Sequence, residues 1–334
     1  MNVEYFLPLS RGWNRTKKAL FLPIDLRKWF IVGFTAFLAG LTEWHGGANS
    51  KWTRRFDGRG WEDVLRFPSE AREWLSDNPF WAALILAGIA AMAVLAVVMT
   101  WLSSRGNFMF LDNVAHNRTR ISEPWHEHRP LGNSLFVWRL ALGFAGFAAF
   151  TGIILYCYLS LSAIYEIGSH GEALFMRALA MGLGLLALAI FSGYVSLFLD
   201  DFVSAIMVKR RVTTGSAVGI FWDAFKAHPV PFLVYGLIVF CLKIATAFLV
   251  VLVGLFTCCA GFLVLAIPYV NSVLLLPVSY TFRAFSLEFL AQFGKDFDCF
   301  SDSTKLKAKP KAKLKPKAKP ARAAPKPPAK KRRT

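Results

Sequence analysis

The sequence predicts an all-α, polytopic integral membrane bundle of about six transmembrane helices, followed by a disordered basic tail. Hydrophobic residues make up 55% of the 334 residues, charged residues only 18%, and mean hydropathy is +0.43. Several apolar runs reach the roughly 20 residues that a helix needs to cross a bilayer. Lys, Ala and Pro dominate the C-terminal end, where no core can form. The chain therefore divides into an interfacial segment (1–26), a six-span membrane domain (27–298) and the tail (299–334).

Six apolar runs are predicted to cross the membrane, at residues 27–44, 80–102, 137–163, 175–199, 232–256 and 261–283. Trp29 and Trp44 bracket the first run and would lie about 22 Å apart on a helix, which is short for a bilayer core. Trp81 and Trp101 bracket the second run and would lie about 30 Å apart, which matches that core. The aromatic pairs are thus placed as interfacial anchors.

The distribution of Lys and Arg predicts the orientation. Basic side chains concentrate in the N-terminal segment and in the loops after the second and fourth runs, whereas residues 162–173 and 257–261 contain none. Because cytoplasmic loops carry the excess of Lys and Arg, both termini are predicted to be cytoplasmic. The loop at 45–78 carries six basic and six acidic residues and does not follow this pattern. Six crossings place it on the opposite side.

The tail is the most highly charged part of the chain. Residues 304–334 contain eleven Lys, three Arg and no acidic residue, which is +14 of the formal +18. Repeated prolines interrupt helices and sheets and the lysines repel one another, so disorder is expected. The predicted polyanion-binding residues are Lys305, Lys307, Lys309, Lys311, Lys313, Lys315, Lys317, Lys319, Arg322, Lys326, Lys330, Lys331, Arg332 and Arg333.

Two classes of partner fit these charges. Anionic lipid headgroups attract basic segments that lie beside a membrane. Nucleic acid is the other candidate, and the absence of aromatic residues from the tail predicts binding without sequence preference. The function predicted from these features is that of a non-enzymatic membrane protein with a polyanion-binding tail.

Lys243 is the first candidate within the membrane. It lies near the middle of the fifth run, with no other charge within ten residues on either side. Because an ionisable group at that depth costs several kcal/mol, it marks a functional hypothesis, with Asn271 as a possible partner. The favoured alternative is that the segment lies near the interface and that Lys243 snorkels to it. The functional interpretation predicts a small-solute transporter or channel with Lys243 in the path.

Asp200 and Asp201 form the second candidate, at the end of the fourth run. They are predicted to pair with Lys209, Arg210 or Arg211 and so to fix a cytoplasmic loop. The alternative is a cation held by two adjacent carboxylates. The structural role is favoured because no further cluster of oxygen ligands lies nearby in the sequence.

The segment "PWHEHRP" at residues 124–130 contains His126, Glu127 and His128, with His116 nearby. A zinc protease needs the spacing H-E-x-x-H, which places both imidazoles on one helix face, so metal binding is not expected here. A membrane-surface loop anchored by Trp125 is favoured. No phosphate loop or nucleophile elbow is found, so no enzymatic activity and no cofactor is predicted. A convergence of His126, His128 and Asp112 in a pocket would favour an enzyme.

Several motifs occur in an order that resembles a known group of proteins. They include "RTKKALFLPIDLRKWFIVGFTAFLA" (15–39), "RGNFMFLDNV" (105–114), "LDDFVSAIM" (199–207) and "LLLPVSYTFRAFSLEFLAQFG" (274–294). Together they resemble an uncharacterised family of bacterial multi-span membrane proteins that carry a domain of unknown function. The resemblance implies an inner-membrane protein with about six helices, and it transfers no activity. The tail is similar, in composition only, to bacterial linker-histone-like segments.

Small residues recur at four-residue spacing on the predicted spans, for example at Ala83, Ala87 and Ala91. Such stripes let helix backbones approach closely. Packing within one chain is favoured over a homo-oligomer.

Overall fold

A computed structural model describes residues 3–42, 60–119, 121–166, 172–257 and 267–300, together with the single residues 261 and 265. Within these ranges the regular structure is helical and contains no β-strand, as predicted. Residues 301–334 of the tail, with the fourteen predicted polyanion-binding residues, lie outside the described residues.

The helices are, in chain order, α1 Phe6–Leu20, α2 Leu26–Ala39, α3 Gly60–Asp77, α4 Pro79–His116, α5 Ser122–Glu127, α6 Arg129–Glu166, α7 Glu172–Phe198, α8 Ser204–Arg210, α9 Thr214–Ala227, α10 Pro229–Phe256, α11 Pro268–Leu274 and α12 Leu276–Leu290. A π-helical turn, Leu199–Val203, joins α7 to α8. Asp25 caps α2, because its side chain accepts a hydrogen bond from the backbone N–H of Arg27 at 2.9 Å.

Four stretches of helix are long and apolar enough to cross a membrane: Pro79–His116, Arg129–Ala163, Phe175–Arg210 and Pro229–Phe256. The pair α11 and α12 counts as a fifth if it is one span, and it is bent by 63°. The bend follows from Pro277, which cannot donate the backbone hydrogen bond that a continuous helix requires. The described residues thus support four or five crossings and do not show the six that the sequence predicts.

Two of the predicted spans differ from the helices found. The run at 261–283 is interrupted at Leu275, between α11 and α12. The run at 27–44 corresponds to α2, which has 14 residues and so measures about 21 Å. This helix lies beside the last turns of α4: Lys28 Nζ donates to Asn117 Oδ1 at 2.8 Å, and Ser103 Oγ donates to the carbonyl of Ala39 at 2.7 Å.

The long helices change character along their length. In α4, every residue from Ala83 to Val98 is exposed, and every residue from Ser103 to Ala115 is buried. We call these segments the exposed half and the buried half of α4. The buried half packs against α2, the first turns of α6 and α12, and Asn107 joins it to the π-helical turn. The core of the protein therefore lies at one end of the long helices.

Aromatic rings fill much of this core. Phe202 of the π-helical turn, Tyr235 of α10 and Phe289 of α12 lie with ring centroids 4.7 to 5.9 Å apart. Pairs at these separations are attractive beyond the area that they bury. The rings therefore fix the π-helical turn between α10 and α12.

The two ends of the described chain lie side by side. Helix α1 packs along α12, where Arg15 Nε contacts Glu288 Oε1 at 2.5 Å. Gln292 Nε2 donates to the carbonyl of Glu4 at 2.8 Å. The guanidinium of Arg15 also lies 3.7 Å from the ring centroid of Phe300, the last described residue. The tail therefore begins beside the basic N-terminal helix.

Candidate functional site: a buried ionic cluster

The π-helical turn Leu199–Val203 brings two adjacent carboxylates into the bundle. A π-helical turn contains one more residue than an α-helical turn, and such insertions occur often at functional sites. Here Asp200 contacts α6, and Asp201 contacts α10 and α12. Both aspartates are half-buried in a segment whose other side chains pack in the core.

Asp200 joins the π-helical turn to α4 and α6. Arg139 of α6 donates from Nη2 to Asp200 Oδ1, and Asn107 of α4 donates to the same oxygen at 3.4 Å. The other terminal nitrogen of Arg139 donates to Ser103 Oγ at 3.1 Å and to Ser104 Oγ at 3.3 Å. One guanidinium of α6 therefore satisfies polar groups from two other segments, α4 and the π-helical turn.

Asp201 joins the same turn to α10 and α12. The Tyr235 hydroxyl donates to Asp201 Oδ2 at 2.8 Å, and Arg283 Nη1 lies 3.7 Å from Asp201 Oδ1. Arg283 also donates to the backbone carbonyl of Asp200 and to Asn107 Oδ1. We call Asn107, Arg139, Asp200, Asp201, Tyr235 and Arg283 the ionic cluster.

The charges within the ionic cluster balance, because two guanidinium groups face two carboxylates. Removing charges from water is expensive, and the loss is offset only where the partners remain together with good hydrogen bonds. The cluster therefore holds five segments in one arrangement. No group of three or more His, Cys, Asp or Glu side chains in the described ranges is placed to hold a metal ion.

The predicted pairing of Asp200 and Asp201 with Arg210 or Arg211 is wrong. Arg210 lies 3.3 Å from Asp296 Oδ2, and Arg211 lies 2.5 Å from Glu127 Oε1. The physical reason is that the chain stays helical through α8. Ten residues of helix rise about 15 Å, which carries Arg210 away from the aspartates.

Sequence reasoning missed the basic partners of the aspartates. Arg139 and Arg283 both fall within predicted spans, at residues 137–163 and 261–283, where a charged residue is itself a signal of function. Only Lys243 was singled out on that ground. Asn107 and Tyr235 carry no comparable sequence signal.

Lys243 lies in α10 as predicted, on an exposed position. Lys243 lies within electrostatic range of Asp201, an acidic group that the sequence alone did not identify as its partner. Asn271 lies in α11, which packs against α2. Tyr269 of α11 marks that contact, because its hydroxyl donates to the carbonyl of Phe30 at 3.0 Å.

The three candidate histidines, His116, His126 and His128, lie at or just after the last turn of α4. His116 Nδ1 lies 2.8 Å from Asp112 Oδ1, and His128 is buried against the ring of Phe108. Burial lowers the pKa of His128, and the carboxylates of Asp112 and Glu127 oppose this shift. His126 is exposed on α5, so it does not join Asp112 and His128 in a common site.

An all-helical protein with four helices long and apolar enough to cross a bilayer fits the class of integral membrane proteins. The chain belongs to DUF7544, described as a family of unknown function, which it matches over residues 7–292. This confirms the resemblance to an uncharacterised family, and the matched range includes the whole ionic cluster. No curated protein and no solved structure matches the chain.

Proposed function

We propose that this chain is a non-enzymatic integral membrane protein whose polybasic tail binds polyanions without sequence specificity. The contact that carries the proposal is the stacking of Arg15 on Phe300, at 3.7 Å. It supports an exit of the tail next to α1, which carries Arg11, Lys17 and Lys18 on its own surface. Basic charge from both ends of the chain then accumulates at one membrane face.

We further propose that this face is the cytoplasmic side of a bacterial inner membrane. Lys and Arg accumulate on the cytoplasmic side of membrane proteins, which supports this orientation. The two described ends lie together, which supports an even number of crossings. Six crossings satisfy this condition, and so do four.

The partners proposed for the tail are anionic lipid headgroups and nucleic acid. Each Lys or Arg held near an anionic surface contributes about 1 kcal/mol, which screening by salt reduces. For nucleic acid, the slope of log affinity against log salt is about −0.9 for each phosphate neutralised. Salt dependence is therefore the signature of the proposed binding.

The test compares the intact chain with two variants after reconstitution in zwitterionic nanodiscs. One variant lacks residues 304–334, and a matched control keeps their length but replaces every Lys and Arg with Gln. Binding to phosphatidylglycerol vesicles and to double-stranded DNA is measured at increasing salt. We expect strong, salt-sensitive binding only for the intact chain. Equal binding by all three proteins would contradict the proposal.

A second candidate function is a small-solute transporter or channel, favoured by the action of Lys243 on Asp201. A cation on a helix as apolar as α10, within electrostatic range of a half-buried carboxylate, is the kind of pair that marks solute pathways in membranes. The test is proton and chloride flux in proteoliposomes. Flux that Lys243→Met abolishes would support this candidate, and flux unchanged by Lys243→Met would remove its basis.

A further inference from the structure

A basic and aromatic site lies where the exposed half of α4 meets its buried half. The guanidinium carbon of Arg105 lies 4.4 Å from the ring centroid of Trp101 and 4.9 Å from that of Trp125. The two indole rings meet edge to face at 6.1 Å. We call Trp101, Arg105, Trp125, Arg129 and Asn133 the Trp–Arg site.

The hydrogen bonds of this site are incomplete. Arg105 is only 8% exposed, and its Nη2 donates to Asn133 Oδ1 at 3.0 Å. Its buried Nε–H has no acceptor among the described residues. Because buried donors in proteins are almost always paired, this nitrogen points to an acceptor that the chain itself does not supply.

The charge of the site has a definite sign. Arg129, exposed on the first turn of α6, acts on Arg105 as a charge of the same sign. Among the described residues, Arg105 forms no ion pair with a carboxylate. A guanidinium that has a like charge in range and no carboxylate partner favours an anion, and phosphate oxygens suit its fork of donors.

The depth of the site identifies the source of the anion. Val98 is the last residue of the exposed half of α4. Trp101 and Arg105 follow it by about 5 and 10 Å along the helix axis. This is the level of the lipid headgroups if the exposed half crosses the hydrocarbon, and Trp residues concentrate at that level.

We propose that the Trp–Arg site binds the phosphate of an anionic membrane lipid. Arg129 binds the phosphate at the surface, and the unpaired Nε–H of Arg105 donates to one of its oxygens. Trp101 and Trp125 contact the glycerol and the first methylenes of the acyl chains. This site is built into the membrane body and is independent of the tail.

The test titrates the purified full-length chain in detergent with dioctanoyl phosphatidylglycerol, and native mass spectrometry counts the bound lipids. About 0.5 M salt suppresses long-range attraction to exposed charges such as those of the tail, whereas direct contacts in the partly buried Trp–Arg site are screened much less. We expect one saturable lipid site. Arg129→Gln removes an exposed donor and should weaken it about tenfold or more, the usual effect of losing a charge-assisted hydrogen bond. Arg105→Lys, which keeps the charge but loses the Nε donor, should weaken it similarly.

The matched control is Lys226→Gln, which removes another exposed cation near an indole ring, since Lys226 Nζ lies 5.6 Å from the ring centroid of Trp222. It should change the affinity less than twofold. Equal weakening by this control, or no saturable site, would overturn the proposal. Competition by inorganic phosphate at the same concentration as the lipid would make the site a small-anion site and overturn the lipid assignment. Every variant keeps the tail, so failure here leaves the tail proposal intact.

Discussion

The two halves of α4 belong to one continuous helix but differ in both composition and burial. The exposed half, Ala83–Val98, contains no charged side chain, although all of it is exposed. The buried half, Ser103–Ala115, contains Arg105, Asn107, Asp112 and Asn113, although all of it is buried. This reverses the usual arrangement of a soluble protein, in which apolar residues are inside and charged ones outside.

The difference is explained by two environments, lipid around the exposed half and protein around the buried half. An apolar surface is stable against lipid, where only the backbone needs hydrogen bonds and the helix supplies them. A buried polar segment is stable only if other parts of the chain satisfy it. Arg139 and Arg283 do this for the buried half, through Ser103, Ser104 and Asn107. The exposed half therefore suits a lipid environment, whereas the buried half needs partners within the chain.

The largest expected effect comes from removing a partner in the ionic cluster. Arg283→Met leaves Asp201 and Asn107 without their guanidinium, and breaking a buried ion pair from one side costs about 3–5 kcal/mol. The matched control is Arg210→Met, because the Arg210 and Asp296 side chains are 37% and 80% exposed. Such surface pairs contribute about 0–1 kcal/mol. Denaturant unfolding in detergent measures both, and equal losses would mean that the cluster is not buried in solution.

The second expected effect concerns the exposed half. Ile89, which is 62% exposed, lies near its middle. If this half crosses the hydrocarbon, Ile89→Arg should cost about 2.5–3.5 kcal/mol of apparent insertion free energy, whereas Ile89→Leu should cost little. Insertion is read from the fraction of α4 that integrates into microsomes. A cost below about 0.5 kcal/mol, the range for an ordinary surface position, would indicate that this half faces water.

The third prediction uses two glycines of the same helix. A Cβ on Gly106, in the buried half, would lie 2.5 Å from Leu38 Cβ and 2.7 Å from the backbone nitrogen of Ala39. A Cβ on Gly88, in the exposed half, would meet no described atom within 4 Å. Gly106→Ala should therefore destabilise the protein by about 1–3 kcal/mol through overpacking. Gly88→Ala should be neutral or stabilise it by up to about 1 kcal/mol, because Ala favours the helix.

Thermal unfolding in one detergent is enough to compare the two glycine variants. Their difference should persist in a second detergent, since the clash at Gly106 is with the backbone of α2 and not with solvent. Similar melting temperatures for Gly106→Ala and Gly88→Ala would indicate that α2 does not pack against α4 as described.

The sequence predicted the apolar, exposed parts of the long helices well and the contacts of the buried core poorly. Long runs without charge predict membrane helices directly, and four of the predicted spans coincide with helices that are long and apolar enough to cross a membrane. The ionic cluster depends on contacts between residues far apart in the chain, such as Asn107 and Arg283, which no local pattern encodes. Asp200 was expected in a loop after the fourth span, but it lies inside a helical stretch that runs on to Arg210. Its partner was missed because the sequence does not indicate that the helix continues through a π-helical turn.

The smallest expected effect is a pH dependence of the free energy of unfolding, caused by His128, which packs against Phe108 of the buried half. Burial lowers the pKa of His128 from its ordinary value of 6.5, so the unfolded chain binds a proton there more readily than the folded one. Stability from this group is complete above pH 6.5 and falls as the pH drops below it.

His128→Gln should flatten this fall in stability, whereas His126→Gln, at an exposed position, should leave it unchanged. Asp112, His116, Glu127 and Arg211, which also act on His128, are retained in both variants. Unfolding midpoints between pH 5 and 8 provide the comparison, and a slope that His128→Gln does not alter would show that this histidine is accessible to solvent.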